Sequence, residues 1–459
     1  MKKNSQILIL CCIFATVLFG SCNNKKMKDE NQGKDTIPFV RTVLESTKTS
    51  TIYEVNIRQF TQEGTFKAFE KHIPRLKELG VDILWLMPIQ PIGEKNRKGS
   101  LGSAYSVKDY CKVNPDYGTD ADFKTLVKTA HENGMMIIID WVANHTAWDN
   151  NWIDAHSDWY TKDSTGNIIS PVADWTDVAD LNYDNKEMRA EMIKSMQFWL
   201  TNFDIDGFRC DVAMMCPTDF WNEVRPALDT VKKVFMLMEA EQTDLHEIAF
   251  DASYSWELHH AMNDISKGTK NASAITELYK NHEKQFPKDI YRMVFTSNHD
   301  ENSWNGTEYE RMPKSYKTFA VFTYLVPSFP LIYSGQEAGL NRRLAFFDKD
   351  SIEWKENEMT DVYTKLNKLK ADNEALWNGS FGGEMVILET TAPEQIFALT
   401  REKNGNKVIA IFNLSDKEAT FKINSDLSGS YKDYFTQKEM KFEQNQEIKI
   451  PAWNYFVLI

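Results

Sequence analysis

Four acids in this chain come directly after short apolar runs. Asp140 ends MMIIID, Asp211 ends IDGFRCD, Glu239 ends VFMLME, and Asp300 follows MVFTSNH. A charge at the end of a buried strand is costly unless it faces a site or is paired. One such acid reads as a helix cap; four, on four different strands, read as a shared site. Convergent carboxylates suit cleavage of a glycosidic bond, where one attacks the anomeric carbon, one protonates the departing oxygen, and a third steadies an oxocarbenium-like ring. The nucleophile must be ionised. Arg209 lies two residues before Asp211, on the same strand face, and is expected to hold its pKa down. The general acid needs the opposite shift, and the apolar run before Glu239 can supply desolvation. Glu241, two residues further on, is the rival for that role.

The surrounding pattern shows what must position these acids. Apolar strands are expected at residues 51–57, 81–87, 135–140, 205–211, 234–239, 293–297 and 329–333, with a weaker one near 250–255. Helical spacing fills the gaps, as at 66–79 before Gly80, 123–133 before Gly134, and 188–203. Continuous apolar strands alternating with helices mean a parallel sheet covered on both faces. The strand count favours a closed (β/α)8 TIM barrel over an open sheet, and a barrel gathers every strand C-terminus at one mouth. Its expected extent is 50–375, with an elaborated loop at 146–182 after the third strand. From 395 the period becomes two: QIFALTRE and KVIAIFNL flank an Asn-Gly turn. This predicts a C-terminal antiparallel β-sandwich over 380–459.

Residues 1–22 carry Lys2 and Lys3 and then an apolar run over 7–20 that is too short for a comfortable membrane span. The segment reads as an export signal. Phe19-Gly20-Ser21-Cys22 resembles a bacterial lipobox, so Cys22 is the expected lipidation site. Residues 23–49 read as a tether. These features predict a cell-envelope protein, anchored to membrane through its lipid, in the periplasm or on the outer membrane. Cys210 and Cys216 could pair, but buried free thiols fit better. The 53 basic and 66 acidic residues leave a net charge of −13, which argues against a nucleic-acid partner. Thirteen Trp and 17 Tyr offer many flat faces suited to sugar rings.

Taken in order, Asp140-Trp-Val-Ala-Asn144-His145, Gly207-Phe-Arg209-Cys-Asp211, Glu239, and Ser297-Asn298-His299-Asp300 resemble the four signature regions of the α-amylase family of glycoside hydrolases. The flanking VDILWLMPIQP, AYSVKDYCKVNPDYGTDADFKTLV and LIYSGQEAGL match as well. The resemblance implies a nucleophile at Asp211, an acid and then base at Glu239, and a transition-state stabiliser at Asp300. It implies hydroxyl contacts from His145 and His299, ring stacking by Tyr105, and support from Asp140 and Arg209. Retention implies that the first two carboxyls stand about 5–5.5 Å apart. The implied substrate is an α-1,4-glucan or maltooligosaccharide.

The chain also departs from that pattern. Where the family often carries Lys-His after the nucleophile, residues 211–215 read Asp-Val-Ala-Met-Met. This puts the usual leaving-side contacts and the usual calcium site in doubt. No cofactor is expected to be required. Asn144 is left as either a calcium ligand or a structural hydrogen-bonder. Trp148, Trp152, Trp159 and Trp175 could wall the groove or pack within their loop. A transglycosylase or isomerase would use the same acids. A non-catalytic glucan-binding lipoprotein would have no need of Asp211, Glu239, Asp300 and Arg209 together.

Overall fold

The computed structural model describes residues 39–459. The export signal, the lipobox with Cys22 and the tether up to residue 38 lie outside the described residues. Eight parallel strands form the centre: β1 (Ile52–Val55), β2 (Ile83–Leu86), β3 (Met136–Trp141), β4 (Gly207–Cys210), β5 (Phe235–Met238), β6 (Ala252–Tyr254), β7 (Tyr291–Val294) and β8 (Phe329–Tyr333). They close as a barrel in sequential order, with β8 pairing back to β1. Inward positions from seven strands interlock in one buried cluster that includes Ile52, Trp85, Ile138, Leu237, Tyr254, Met293 and Leu331. The outward positions pack against the surrounding helices.

Helix limits follow local chemistry. The helix Asp120–Glu132 starts on a capping box between Thr119 and Asp122, which satisfies amide donors that lack a partner in the first turn. The expected helix at 66–79 is two helices, Phe66–Glu70 and Ile73–Leu79, because Pro74 suits the first turn of a helix rather than its interior. Strand β7 ends at Val294, earlier than expected. Its neighbour at that point is Pro330, which has no N–H to extend the ladder. The weak strand at 250–255 is the three-residue β6; only a short 3-10 turn, Asp244–His246, separates it from β5, so the strand–helix rhythm lapses there.

Residues 41–49 correct the expected tether. Arg41 pairs with Asp251 at 3.1 Å and also with Asp289. The Asn378 amide donates to the carbonyls of Thr47 and Ser50. Charge pairing, hydrogen bonds from the Asn378 side chain, and packing of Val43 and Leu44 against the barrel core thus dock this stretch on the barrel.

After β3 the chain inserts a small antiparallel pair, His145–Ala147 with Val178–Asp180. The C-terminal region contains β9 (Met385–Ile387), β10 (Ile396–Lys403), β11 (Asn406–Asn413), β12 (Ala419–Phe421), β13 (Gly429–Lys432), β14 (Glu439–Phe442), β15 (Ile448–Ile450) and β16 (Tyr455–Leu458). A four-stranded sheet in the order β9-β10-β11-β16 is joined by the pairs β12–β15 and β13–β14. The β10–β11 hairpin turns through Asn404 and Gly405, both at positive φ, as a tight two-residue turn requires. Alternate residues of β11 enter different cores. Val408, Ala410 and Phe412 join the cluster shared with the barrel, whereas Ile409 and Ile411 join the core of the C-terminal region. This two-sided burial explains why residues 408–412 are apolar without a break instead of following the expected period of two.

One glycine is indispensable to the barrel. Gly207 opens β4 at φ 154°, and an added Cβ would lie 1.9 Å from the Phe235 carbonyl oxygen. Gly207→Ala therefore forces β4 away from β5. We expect a loss of at least about 2 kcal/mol in chemical denaturation, consistent with overpacking of a tight core; an unchanged midpoint would contradict this account of β4.

Candidate active site

The site is the polar end of the alternation that builds the barrel core. On β3, Ile138 points inward and so does Asp140 two residues on. On β5, Phe235 and Leu237 point inward and Glu239 follows. On β4, Gly207, Arg209 and Asp211 share that face. The register sets Asp140 directly beside Arg209 across the β3–β4 ladder. Apolar residues therefore fill the lower barrel, and charged residues take the same face at the mouth.

Arg209 is fully buried and connects these acids. Its Nη1 donates to Asp140 Oδ1 at 2.9 Å and to Asp211 Oδ1 at 2.9 Å. Its Nη2 lies 2.8 Å from Glu239 Oε2 but makes no aligned hydrogen bond. Asp211 thus receives a directed N–H from Arg209, while Glu239 receives only proximity. One guanidinium spans both carboxyls, so their separation is limited to its width plus two contacts.

The electrostatics follow from burial and this unequal sharing. Burial raises Asp211 to about 6, against the pull of Arg209. The expectation that Arg209 would hold Asp211 below its usual range is therefore not met, because desolvation is the larger effect. Burial raises Glu239 further, to about 7; Arg209 pulls back, and Asp211 and Asp300 push the same way as burial. The two carboxyls separate in the order expected of a nucleophile and a proton donor.

Backbone geometry adds to this. Val212 has φ 36° and ψ 46°, a left-handed conformation that β-branched residues rarely adopt. It turns the Val212 amide so that it donates to Glu239 Oε2 at 2.9 Å. Strain of this kind collects at functional sites.

Above this layer lies a pocket of about 510 Å³ lined by Tyr105, His145, Asp211, Glu239, His299 and Asp300, among others. The expected substrate-site residues also include Asp140 and Arg209. Both are fully buried and absent from the pocket lining, so they act through their neighbours. Trp85 Nε1 and the Tyr105 hydroxyl also donate to Asp140 Oδ2, at 3.1 and 3.0 Å. Tyr105 stacks on His299 with ring centroids 5.4 Å apart. Burial lowers His145 to about 4, so it enters the pocket neutral. Glu241 turns away to pair with Arg292 at 2.6 Å and does not line the pocket.

Of the four loop tryptophans, Trp175 lines the pocket and Trp152 and Trp159 are buried in their loop. Trp148 is half-buried and donates to the Thr176 carbonyl at 3.0 Å. Cys210 and Cys216 are buried free thiols. Sequence reasoning missed Trp304, Phe346 and Phe347, which form an aromatic wall beside Asp300. It also missed Glu54, which meets His299. Glu54 stands within β1 rather than at its end, but its inward register after Ile52 would have revealed it.

Among the described residues no group of three or more His, Cys, Asp or Glu side chains converges to hold a metal. The Asn144 amide faces His145 Nδ1 at 3.2 Å, and the His145 carbonyl accepts from the Tyr110 hydroxyl at 3.0 Å.

The chain matches the alpha amylase catalytic domain over residues 25–380. Among solved structures, it is similar to a noncanonic maltogenic alpha-amylase from Thermotoga neapolitana, at 29% identity and TM-score 0.83, covering 90% of this chain and 99% of that one. It is 24% identical to Alpha-amylase MalA of Haloarcula japonica over 83% of this chain and 58% of that relative. It is 23% identical to a 4-alpha-glucanotransferase of Thermotoga maritima over 82% of this chain and 95% of that relative. With the closed barrel, the carboxylate constellation and a match over most of its length, the chain belongs to the alpha-amylase family.

Proposed function

We propose that this protein is a retaining hydrolase of α-1,4-glucosidic bonds in starch-type glucans or maltooligosaccharides. The observation that carries this reading is the unequal grip of Arg209, which donates a directed N–H to Asp211 and leaves Glu239 without one. Asp211 attacks the anomeric carbon as the glycosidic C–O bond breaks, and Glu239 gives its proton to the departing oxygen. A covalent glycosyl-enzyme results. Glu239, now a carboxylate, takes a proton from water as that water attacks the same carbon and releases Asp211. Asp300 and His299 face the ring from the opposite wall, and Tyr105 stacks on it. The N-terminal signal and Cys22 support a lipid-anchored enzyme of the cell envelope that meets its polymer outside the cytoplasm.

One observation favours a second reading, transfer to another sugar. Met214 and Met215, just past the nucleophile, are 46% and 39% exposed. They stand where the family often carries Lys-His, and an exposed apolar surface there can seat an acceptor sugar and displace water. Product analysis with starch and maltooligosaccharides separates the two. Short α-configured hydrolysis products support the proposal; products longer than the starting sugar favour transfer; β-configured products contradict both.

Asp211→Asn should lose at least about 10³-fold in kcat with the fold retained by circular dichroism. Unchanged turnover would remove Asp211 from the nucleophile role. Glu239→Gln should lose kcat/KM on glucans yet keep far more of it on an α-glucosyl fluoride, whose leaving group needs no proton in the bond-breaking step that kcat/KM reports. Equal losses on both substrates would contradict its role as the acid. Activity should decline as pH falls through about 6, where Asp211 takes up a proton, and as pH rises through about 7, where Glu239 gives one up. A profile flat from pH 5 to pH 9 would contradict this assignment.

A further inference from the structure

We infer that Glu54 is a positioning residue that fixes His299 as an imidazolium in the pocket wall. Glu54 lies inside β1 with no exposure, and its Oε1 is 2.5 Å from His299 Nδ1. Its other oxygen, Oε2, is buried without a hydrogen-bond partner. On the far side of the ring, His299 Nε2 is 2.9 Å from the Tyr105 hydroxyl and 3.2 Å from Asp300 Oδ2.

The hydrogen-bond partners point to the form of the ring. The Tyr105 proton is already committed to Asp140 Oδ2 at 3.0 Å, so Tyr105 can only accept from Nε2. Nε2 must therefore carry a proton. Nδ1 faces the Glu54 carboxyl, and opposite an ionised Glu54 it carries one as well. A ring with both protons is a cation. A buried carboxylate with an unpartnered second oxygen is tolerated when its counter-charge is this close.

The surrounding charges agree. Tyr105, Asp140, Arg209 and Asp300 face His299 from the loop after β2, from β3, from β4 and from the loop after β7. Tyr254 on β6 and Tyr333 on β8 face Glu54. Burial alone would lower His299, but the Asp300 and Glu54 charges outweigh it and lift the ring to about 9. Glu54 thus begins a continuous chain through His299, Tyr105 and Asp140 to Arg209, and from there to Asp211 and Glu239.

For the reaction, which rests on the hydrolytic reading above, the chain has two effects. It directs a charged N–H into the pocket beside Asp300. It also sets a negative charge behind His299, so that the cation does not oppose the positive ring of the transition state.

The test is nitrogen-15 NMR of the full chain with labelled histidine, His299 being assigned through His299→Gln. In the wild-type protein both His299 nitrogens should read as protonated at pH 7. In Glu54→Gln, which keeps the shape and removes the charge, His299 should titrate at least about two pH units lower. Its kcat should fall at least about tenfold with KM changed by less than about threefold. A singly protonated His299 in the wild-type protein at pH 7, or an unmoved titration in the variant, overturns the inference. The wild-type spectrum decides the matter even if the variant fails to fold. If glucan hydrolysis were absent altogether, the spectrum would still read the Glu54–His299 pair on its own.

Discussion

Arg209 has no exposure, and its guanidinium lies within 2.8–2.9 Å of Asp140, Asp211 and Glu239. Taking one cation and several carboxyls out of water costs several kcal/mol for each ion, and one guanidinium cannot fully repay three acids. The balance is met by protons. The carboxyl with the poorest hydrogen bond from Arg209 holds its proton most tightly, and that carboxyl is Glu239. The division of labour between nucleophile and acid is therefore a consequence of a shared, oversubscribed cation.

That arrangement depends on the barrel. In a parallel barrel the inward face of every strand runs from the apolar interior to the mouth, so a two-residue step past the last core side chain lands in the site. Ile138 to Asp140 and Leu237 to Glu239 are such steps. Gly207 lets β4 approach β5 closely enough to set Arg209 between neighbours on both sides. The strained Val212 then bends the chain just past Asp211, and its amide meets the carboxyl that Arg209 serves least.

Much of this was legible in the sequence, for a physical reason. Strands buried on both faces are continuous apolar runs, so their ends, and the acids at those ends, stand out. Asp140, Asp211 and Glu239 were found that way, and the (β/α)8 order followed from the same runs. Glu54 was hidden because it interrupts its strand instead of ending it, and it looks like an ordinary exposed strand residue until the inward register is known. Trp304 was hidden because it lies in a single helical turn, Glu301–Asn305, and Phe346 because it lies on an irregular segment; neither has a periodicity to follow. The net shift of Asp211 was also beyond sequence reasoning, since the partner could be named but the depth of burial could not. Residues 41–49 look like a polar linker and are docked instead by Arg41, by hydrogen bonds from Asn378, and by Val43 and Leu44 against the barrel core, a contact too short to leave a periodic pattern.

The most direct test of the account is to trap the covalent intermediate. A 5-fluoro-α-glucosyl fluoride, which forms a glycosyl-enzyme quickly and releases it slowly, is incubated with the wild-type protein, and the digested product is mapped by mass spectrometry. The account predicts one added sugar, carried by the peptide containing Asp211. A sugar on any other carboxylate, or an inhibited protein with no covalent adduct, would contradict it.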